Sequence, residues 1–479
     1  MTNQLSGTGR KSISEKHENF LEIEEGFDAF DVRIDGVPVW ERIRFSVHQN
    51  LLFPEQNEPS ETSGVDSIVE KIGPLGLLLR NIFIRNPFAC GEHDVLFFGH
   101  SRRKQLEDGY WWDIYCDPVH RQLDIDYIHF EGPFNDNHRT PARTERLRYL
   151  DLIKFSASIQ RNLGLVDVTI PFSQRRTLRS IGQEIARQFS VDISIVELAR
   201  RELSIRRSLK WLYVELLKRA NPEIAVLVTS YARETFIEAC QELDITVVEL
   251  QHGVIHEYHC GYSYPGYRTK EAFPDYLFTF GEFWNDAVAF PVQQNRIIEV
   301  GYPYLEMQSD RYDDVASHAQ VLFISQQMIG KSLSKMAVDA ADRIEEDVVY
   351  KLHPEMMENW KSRYPWLRDS AVTVVGDDGP PLYELFATST VQVGVGSTAL
   401  YEGLNFDLPT YLVSLPGIEY VRPLLDGGYA TAVGSADELV DAVNSEAQPS
   451  VDSNRFFSDD AVNNIETHLQ RIRSGVIDE

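Results

Sequence analysis

From residue 94 onward, short apolar runs alternate with longer amphipathic stretches. Asp94–Gly99 and Leu123–Phe130 read as strands. Thr144–Leu163 and Gln174–Ala220, with Leu, Ile and Arg at helical spacing, read as helices. A compact unit follows: strand Ile224–Thr229, helix Arg233–Leu243 and strand Ile245–Leu250, a spacing that predicts a right-handed βαβ crossover. Asp275–Phe280 and Ile297–Val300 extend the series. The alternation then restarts with strand Gln320–Ile324, a helix near Leu333–Ile344 and strand Val348–Leu352. Strand Val372–Val375, helix Leu382–Thr388 and strand Val391–Val393 come next. A helix from Thr398, strand Thr410–Val413 and a final helical stretch complete it. Buried strands separated by helices argue for parallel sheets in both halves. Upstream, Ile34–Trp40 carries Asp35-Gly36 and reads as a hairpin-like turn, Glu41–Phe53 as a helix, and polar Pro54–Gly64 as a linker.

A chain of 479 residues exceeds one ordinary core. The expected fold is α/β, with two Rossmann-like domains whose parallel sheets face a central cleft. The boundaries are an N-terminal extension and linker over 1–90, an acceptor domain over 91–304 and a nucleotide-donor domain over 305–479. Met1–Lys16 is polar, so no signal peptide is expected. No apolar run reaches the roughly 20 residues that cross a bilayer. Ile72–Phe88 is the most apolar stretch; it reads as a buried helix in preference to a peripheral membrane contact. Four cysteines without paired spacing fit reduced thiols in the cytoplasm. The net charge of −27 argues against a nucleic-acid partner. Arg is used far more than Lys and acids are plentiful, as on proteins of salt-accumulating organisms.

The candidate chemistry sits at strand ends, where open α/β sheets bind ligands. Gly394-Val395-Gly396-Ser397-Thr398 joins a strand to a helix. Glycine permits close backbone approach, and a capping Ser or Thr with free N–H groups attracts phosphate. No Lys follows as in a P-loop. Lys351-Leu352-His353-Pro354 ends another strand, where proline holds the histidine in extended backbone. An imidazole there can donate to a phosphate oxygen or act as an acid. Gln251-His252-Gly253 ends a strand of the other half.

A strand ending in His353-Pro354, then a strand running into Gly394-x-Gly396-Ser397-Thr398-x-x-x-Glu402, resembles the C-terminal domain of GT-B glycosyltransferases. The likeness in pattern is to the group of capsule polysaccharide transferases, CDP-glycerol glycerophosphotransferases and bacterial polysialyltransferases. It spans roughly residues 220–445, and the composition suggests a haloarchaeal member. The resemblance implies donor-phosphate binding by His353, Gly396, Ser397 and Thr398, with Glu402 either reaching the donor ribose or fixing the loop. His252 is the implied base for an acceptor hydroxyl, although Gln251 stands where the glycerophosphotransferases commonly carry Trp. Asp108, in Glu107-Asp108-Gly109, is a second candidate base by its order ahead of His-Pro. The implied partners are a nucleotide sugar and a glycan or lipid-linked oligosaccharide acceptor. No cofactor and no metal are implied; the activated donor is a substrate. The implied activity is metal-independent sugar transfer in surface-glycan synthesis, at the inner face of the membrane. A polyol-phosphate transferase and a sugar-nucleotide epimerase or hydrolase of similar fold are the alternatives.

Other constellations compete. His252, His256, His259 and Cys260 suggest zinc by proximity, but Gly253 and the Tyr, Gly and Pro after Cys260 disfavour a ligand helix. Tyr258, Tyr262, Tyr264 and Tyr267 form either a sugar-stacking loop or a packed one. Tyr110-Trp111-Trp112 carries the same ambiguity, and Arg102 and Arg103 could meet an anionic acceptor.

Overall fold

The computed structural model describes residues 12–52, 83–101, 103–134, 137–266, 268–445 and 453–476, with positions 76, 79 and 81. The linker at 54–64, part of the apolar stretch Ile72–Phe88, Arg102 and Tyr267 lie outside the described residues. Within that stretch Leu79, Phe83 and Ile84 are exposed, so it is not a buried helix at those positions.

Near the amino terminus, β1 (Arg33–Ile34) and β2 (Val37–Pro38) pair antiparallel. Asp35 and Gly36 turn between them at φ 51° and 81°, the left-handed pair that a tight hairpin requires. Flanking helices Ile13–Gly26 and Val39–Leu52 bury Phe20, Trp40 and Val47 in one cluster with Leu178, Ile181 and Leu203. The segment expected as an extension is therefore core from Ile13 to Leu52.

The first sheet is built from β3 (Val95–Phe98), β6 (Tyr127–Glu131), β7 (Leu147–Tyr149), β8 (Ile224–Val228), β9 (Thr246–Leu250), β10 (Tyr276–Thr279) and β11 (Ile297–Glu299). Between β3 and β6, β4 (Lys104–Gln105) and β5 (Trp111–Trp112) form a small antiparallel pair. The seven strands run parallel in the order β11-β10-β9-β8-β3-β6-β7. The second sheet holds β12 (Gln320–Ile324), β13 (Asp347–Lys351), β14 (Thr373–Val375), β15 (Val391–Gly394), β16 (Thr410–Val413) and β17 (Thr431–Val433). Its order is β14-β13-β12-β15-β16-β17, again parallel. Both sheets are doubly wound: the first strand lies inside, later strands run outward on one side, and the fourth starts the other side. The switch points fall between β3 and β8 and between β12 and β15.

Three readings are corrected. Thr144–Leu163 is not one helix: Leu147–Tyr149 pairs with β6 as the edge strand β7, and the helix is Asp151–Asn162. Gln174–Ala220 is two helices, Phe172–Phe189 and Ile195–Ala220. Ser190 ends the first in a left-handed cap (φ 57°), and Ser194 accepts from Glu197 N to start the second. The final stretch contains β17, whose pairing with β16 no local pattern announces.

By contacts, one compact unit comprises Tyr304–Asp459 with Gly281–Trp284, and the other Glu15–Phe280, Asn285–Pro303 and Asp460–Glu479. The segment 305–479 is thus not continuous in space. The helix Ala461–Arg473 places Ile465 and Leu469 in the core beneath β8, β9 and β10. The four cysteines are free thiols. Among the described residues, no helix is long and apolar enough to cross a membrane.

Candidate functional site

In the six-stranded unit the two sequence motifs fall on strands flanking β12. His353 follows β13 and Val395–Thr398 follows β15, so both lie on the carboxyl edge, about 10 Å apart at two strand spacings. His353 caps the turn Pro354–Met356, its Nδ1 accepting from Glu355 N at 3.3 Å. That leaves the ring proton on Nε2, a donor. Ser397 caps the helix Thr398–Leu404, its Oγ accepting from Ala399 N at 3.2 Å. Gly396 is required sterically: a Cβ there would collide with the carbonyl oxygen of Gly417. Its N–H donates to Gln326 Oε1 at 3.0 Å, which ties the ends of β12 and β15 across the switch point. Glu402 accepts from the Tyr383 hydroxyl at 2.8 Å. Lys351 Nζ donates to Gly376 O at 2.9 Å, pinning the loop that carries Asp377 and Asp378.

In the seven-stranded unit His252 stands past the end of β9. Gln251 is buried and uses both ends of its amide: Nε2 donates to Gly253 O and Oε1 accepts from Phe280 N, each at 2.9 Å. Gln251 thereby fixes the histidine's turn. Tyr231 OH lies 3.2 Å from His252 Nε2, and Tyr262 OH lies 3.4 Å from Nδ1. Tyr262 donates to the buried Glu249 at 2.5 Å. Its oxygen is then an acceptor toward Nδ1–H, which assigns the lone pair to Nε2. Burial depresses the His252 pKa to about 3, with His259 and His100 adding to the shift. The ring is neutral at pH 7. Tyr115 joins the group through its hydroxyl, 2.7 Å from His252 O, and its ring stands edge-on to His100.

Asp108 is placed differently. It is exposed in the turn between β4 and β5, where its carboxylate accepts from Tyr110 N at 2.9 Å and Trp112 Nε1 at 3.3 Å. No hydrogen bond joins it to His252 among the described residues. Arg103 is committed as well: it is buried against Glu131, with Thr144 at 2.7 Å and Asp117 at 3.4 Å. Tyr258, Tyr262 and Tyr264 are buried rings, which settles that loop as packed at these positions.

Cys260 meets His17 and His48 instead of His252, with three ligand atoms within 4.8 Å. The two imidazoles already share a 3.1 Å hydrogen bond. Asp113, Cys116 and His129 also converge, but the Asp113 carboxylate is occupied by the amides of His100, Tyr115 and Cys116.

Sequence reasoning missed Gln326, Tyr231 as a histidine partner, and Arg233. Arg233 was read only as a helix start, yet its guanidinium lies over Phe98 at the end of β3.

No protein-family model matches the chain, and no curated protein does. Solved structures of similar shape include the UDP-GlcNAc 2-epimerase of Methanocaldococcus jannaschii, at 10% identity and TM-score 0.46, over 78% of this chain and 99% of that one. The UDP-GlcNAc 2-epimerase of Neisseria meningitidis bound to UDP-GlcNAc is similar at 12% identity and TM-score 0.46, over 79% and 99%. The spinosyn rhamnosyltransferase SpnG is similar at 11% identity and TM-score 0.37, over 80% and 96%.

Proposed function

We propose that this chain is a glycosyltransferase that takes a nucleotide-activated sugar as donor. The observation that carries the reading is the placement of His353 and Gly396-Ser397-Thr398 on strands either side of β12, at the switch point of a doubly wound sheet. A diphosphate laid along that edge meets an imidazole N–H at one end and hydroxyl and backbone donors at the other. In the reaction, the bond from the sugar's anomeric carbon to the phosphate oxygen breaks, and the nucleoside diphosphate leaves with the electron pair. Fixed donors stabilise that charge. The acceptor oxygen bonds to the anomeric carbon and its proton passes to a base.

His252 is the proposed base, because burial keeps its ring neutral and the Tyr262–Glu249 pair orients it. Its proton affinity in the empty protein is low and rises when negative charge arrives beside it.

Titration with UDP, GDP, CDP and CMP tests the reading. His353→Ala and Ser397→Ala should each weaken binding of the preferred nucleotide about 10-fold or more, the effect of losing a hydrogen bond to a charged group. His252→Ala should leave that affinity intact and lower turnover. Unchanged affinity in both of the first two variants sinks the phosphate assignment. Binding of CDP-glycerol but no nucleotide sugar would replace sugar with polyol phosphate, and turnover of the donor without acceptor would indicate an epimerase or hydrolase.

A further inference from the structure

Buried cations in this protein come with carboxylates. Arg42 is ion-paired with Glu202, Glu234 and Glu238, Arg44 with Glu24, and Lys270 with Glu234. Arg103 has Glu131 and Asp117. Arg233, half-buried, stands apart from them in a chain that carries 73 acids against 46 bases. It leads from the end of β8 into the helix Glu234–Glu242, and its guanidinium carbon sits 4.0 Å from the centre of the Phe98 ring. Its one hydrogen bond among the described residues runs to Gly99 O, at a long 3.4 Å. Its Nε is buried without a partner, and no carboxylate among the described residues is ion-paired with it. Asp113 is the acid within its field, but that carboxylate is turned to three backbone amides. Phe98 and Gly99 close β3, so Arg233 spans the switch point between β3 and β8. Two residues before it, Tyr231 touches His252.

A partly desolvated guanidinium without a counter-ion costs stability, and strand-end crevices at switch points are where ligands bind. We propose that Arg233 receives an anionic group, a phosphate or a carboxylate, of the substrate held by the seven-stranded unit. Under the reading above that substrate is the acceptor, which makes it an acidic or phosphorylated glycan or lipid. The stacked, planar fork suits two-pronged recognition of either oxyanion.

The experiment is anion-dependent thermal stabilisation, carried out in the His353→Ala/Ser397→Ala protein so that donor-phosphate binding does not contribute. Nucleotide affinity of the same parent decides the earlier reading separately. Inorganic phosphate and acetate are titrated at constant ionic strength in low-chloride buffer. The expected result is a saturable rise in melting temperature with at least one of them, and the more effective ion names phosphate or carboxylate. Adding Arg233→Met should abolish that rise, and without the anion it should melt at the same or a higher temperature, because a half-buried charge without an ion-pair partner has been removed. A parent that responds to neither ion overturns the proposal. So does an Arg233→Met protein that melts lower and keeps the full response, since the arginine is then a packing residue on Phe98. If Arg233→Met does not fold, Arg233→Lys decides: a phosphate or acetate affinity weakened at least about threefold supports the site, and an unchanged affinity overturns it.

Discussion

Six imidazoles in the seven-stranded unit, His129 among them, are held neutral chiefly by desolvation. The pKa falls to about 3 for His252 and His256, about 4 for His17 and His259, and about 2 for His48. In the unfolded chain the same groups titrate near 6.5. Below that pH the unfolded state binds protons that the fold refuses, so stability falls as pH drops from about 6.5 toward 4. Cooperative acid unfolding in that window, with uptake of several protons, is the expected outcome. Equilibrium urea unfolding at pH 7.5, 6 and 5 measures it; a stability that stays level across the series would refute the neutral assignment. For catalysis the consequence is different. The limb of the pH–rate profile belonging to His252 lies near pH 3 in the free protein, so kcat/KM should show no inflection near 6.5 from this group.

Among the elements, the turn after β15 is the most constrained. A methyl group at Gly396 collides with backbone at Gly417, and the N–H of Gly396 is the one that reaches Gln326. Gly396→Ala must move the loop. It should lower stability by about 1–3 kcal/mol and weaken nucleotide binding. Denaturant midpoints and nucleotide titration check both, and loss of stability with affinity unchanged would separate the loop from the site. Local pattern located this turn, since a strand, two glycines and a hydroxyl cap are adjacent in sequence. It failed at Leu147–Tyr149, whose three residues are strand only because β6 offers an edge. It failed again over Gln174–Ala220, where apolar spacing continues through a break set by one left-handed serine.

At the scale of the whole molecule, the chain does not fall into consecutive domains. The helix Ala461–Arg473 lies at the far end of the sequence, yet Ile465 and Leu469 fill the core of the seven-stranded unit with Val226, Val248 and Phe278. Leu469→Ala should therefore destabilise that unit by about 2–5 kcal/mol, the usual cost of truncating a buried leucine. Nucleotide affinity measured in native buffer should be unaffected if the donor site belongs to the six-stranded unit. Urea unfolding followed by tryptophan fluorescence gives the first quantity and titration the second.

Strand-forming runs, the crossover spacing and the two glycine- or proline-bounded strand ends were determined by the sequence alone, because each depends on residues a few positions apart. These were enough to name His353, Ser397 and His252 and to expect parallel sheets. Which strands neighbour which was decided only in the folded chain, and with it the switch points that bring Gln326 to Gly396 and Arg233 over Phe98. The same holds for the charges. Along the chain Arg103 reads as a candidate for an anionic acceptor and Arg233 only as a helix start; the placement of Glu131 and Asp117 satisfies the first and leaves the second without an ion-pair partner. Pairing across a sheet and desolvation in a core depend on what distant segments deliver, which no local pattern encodes.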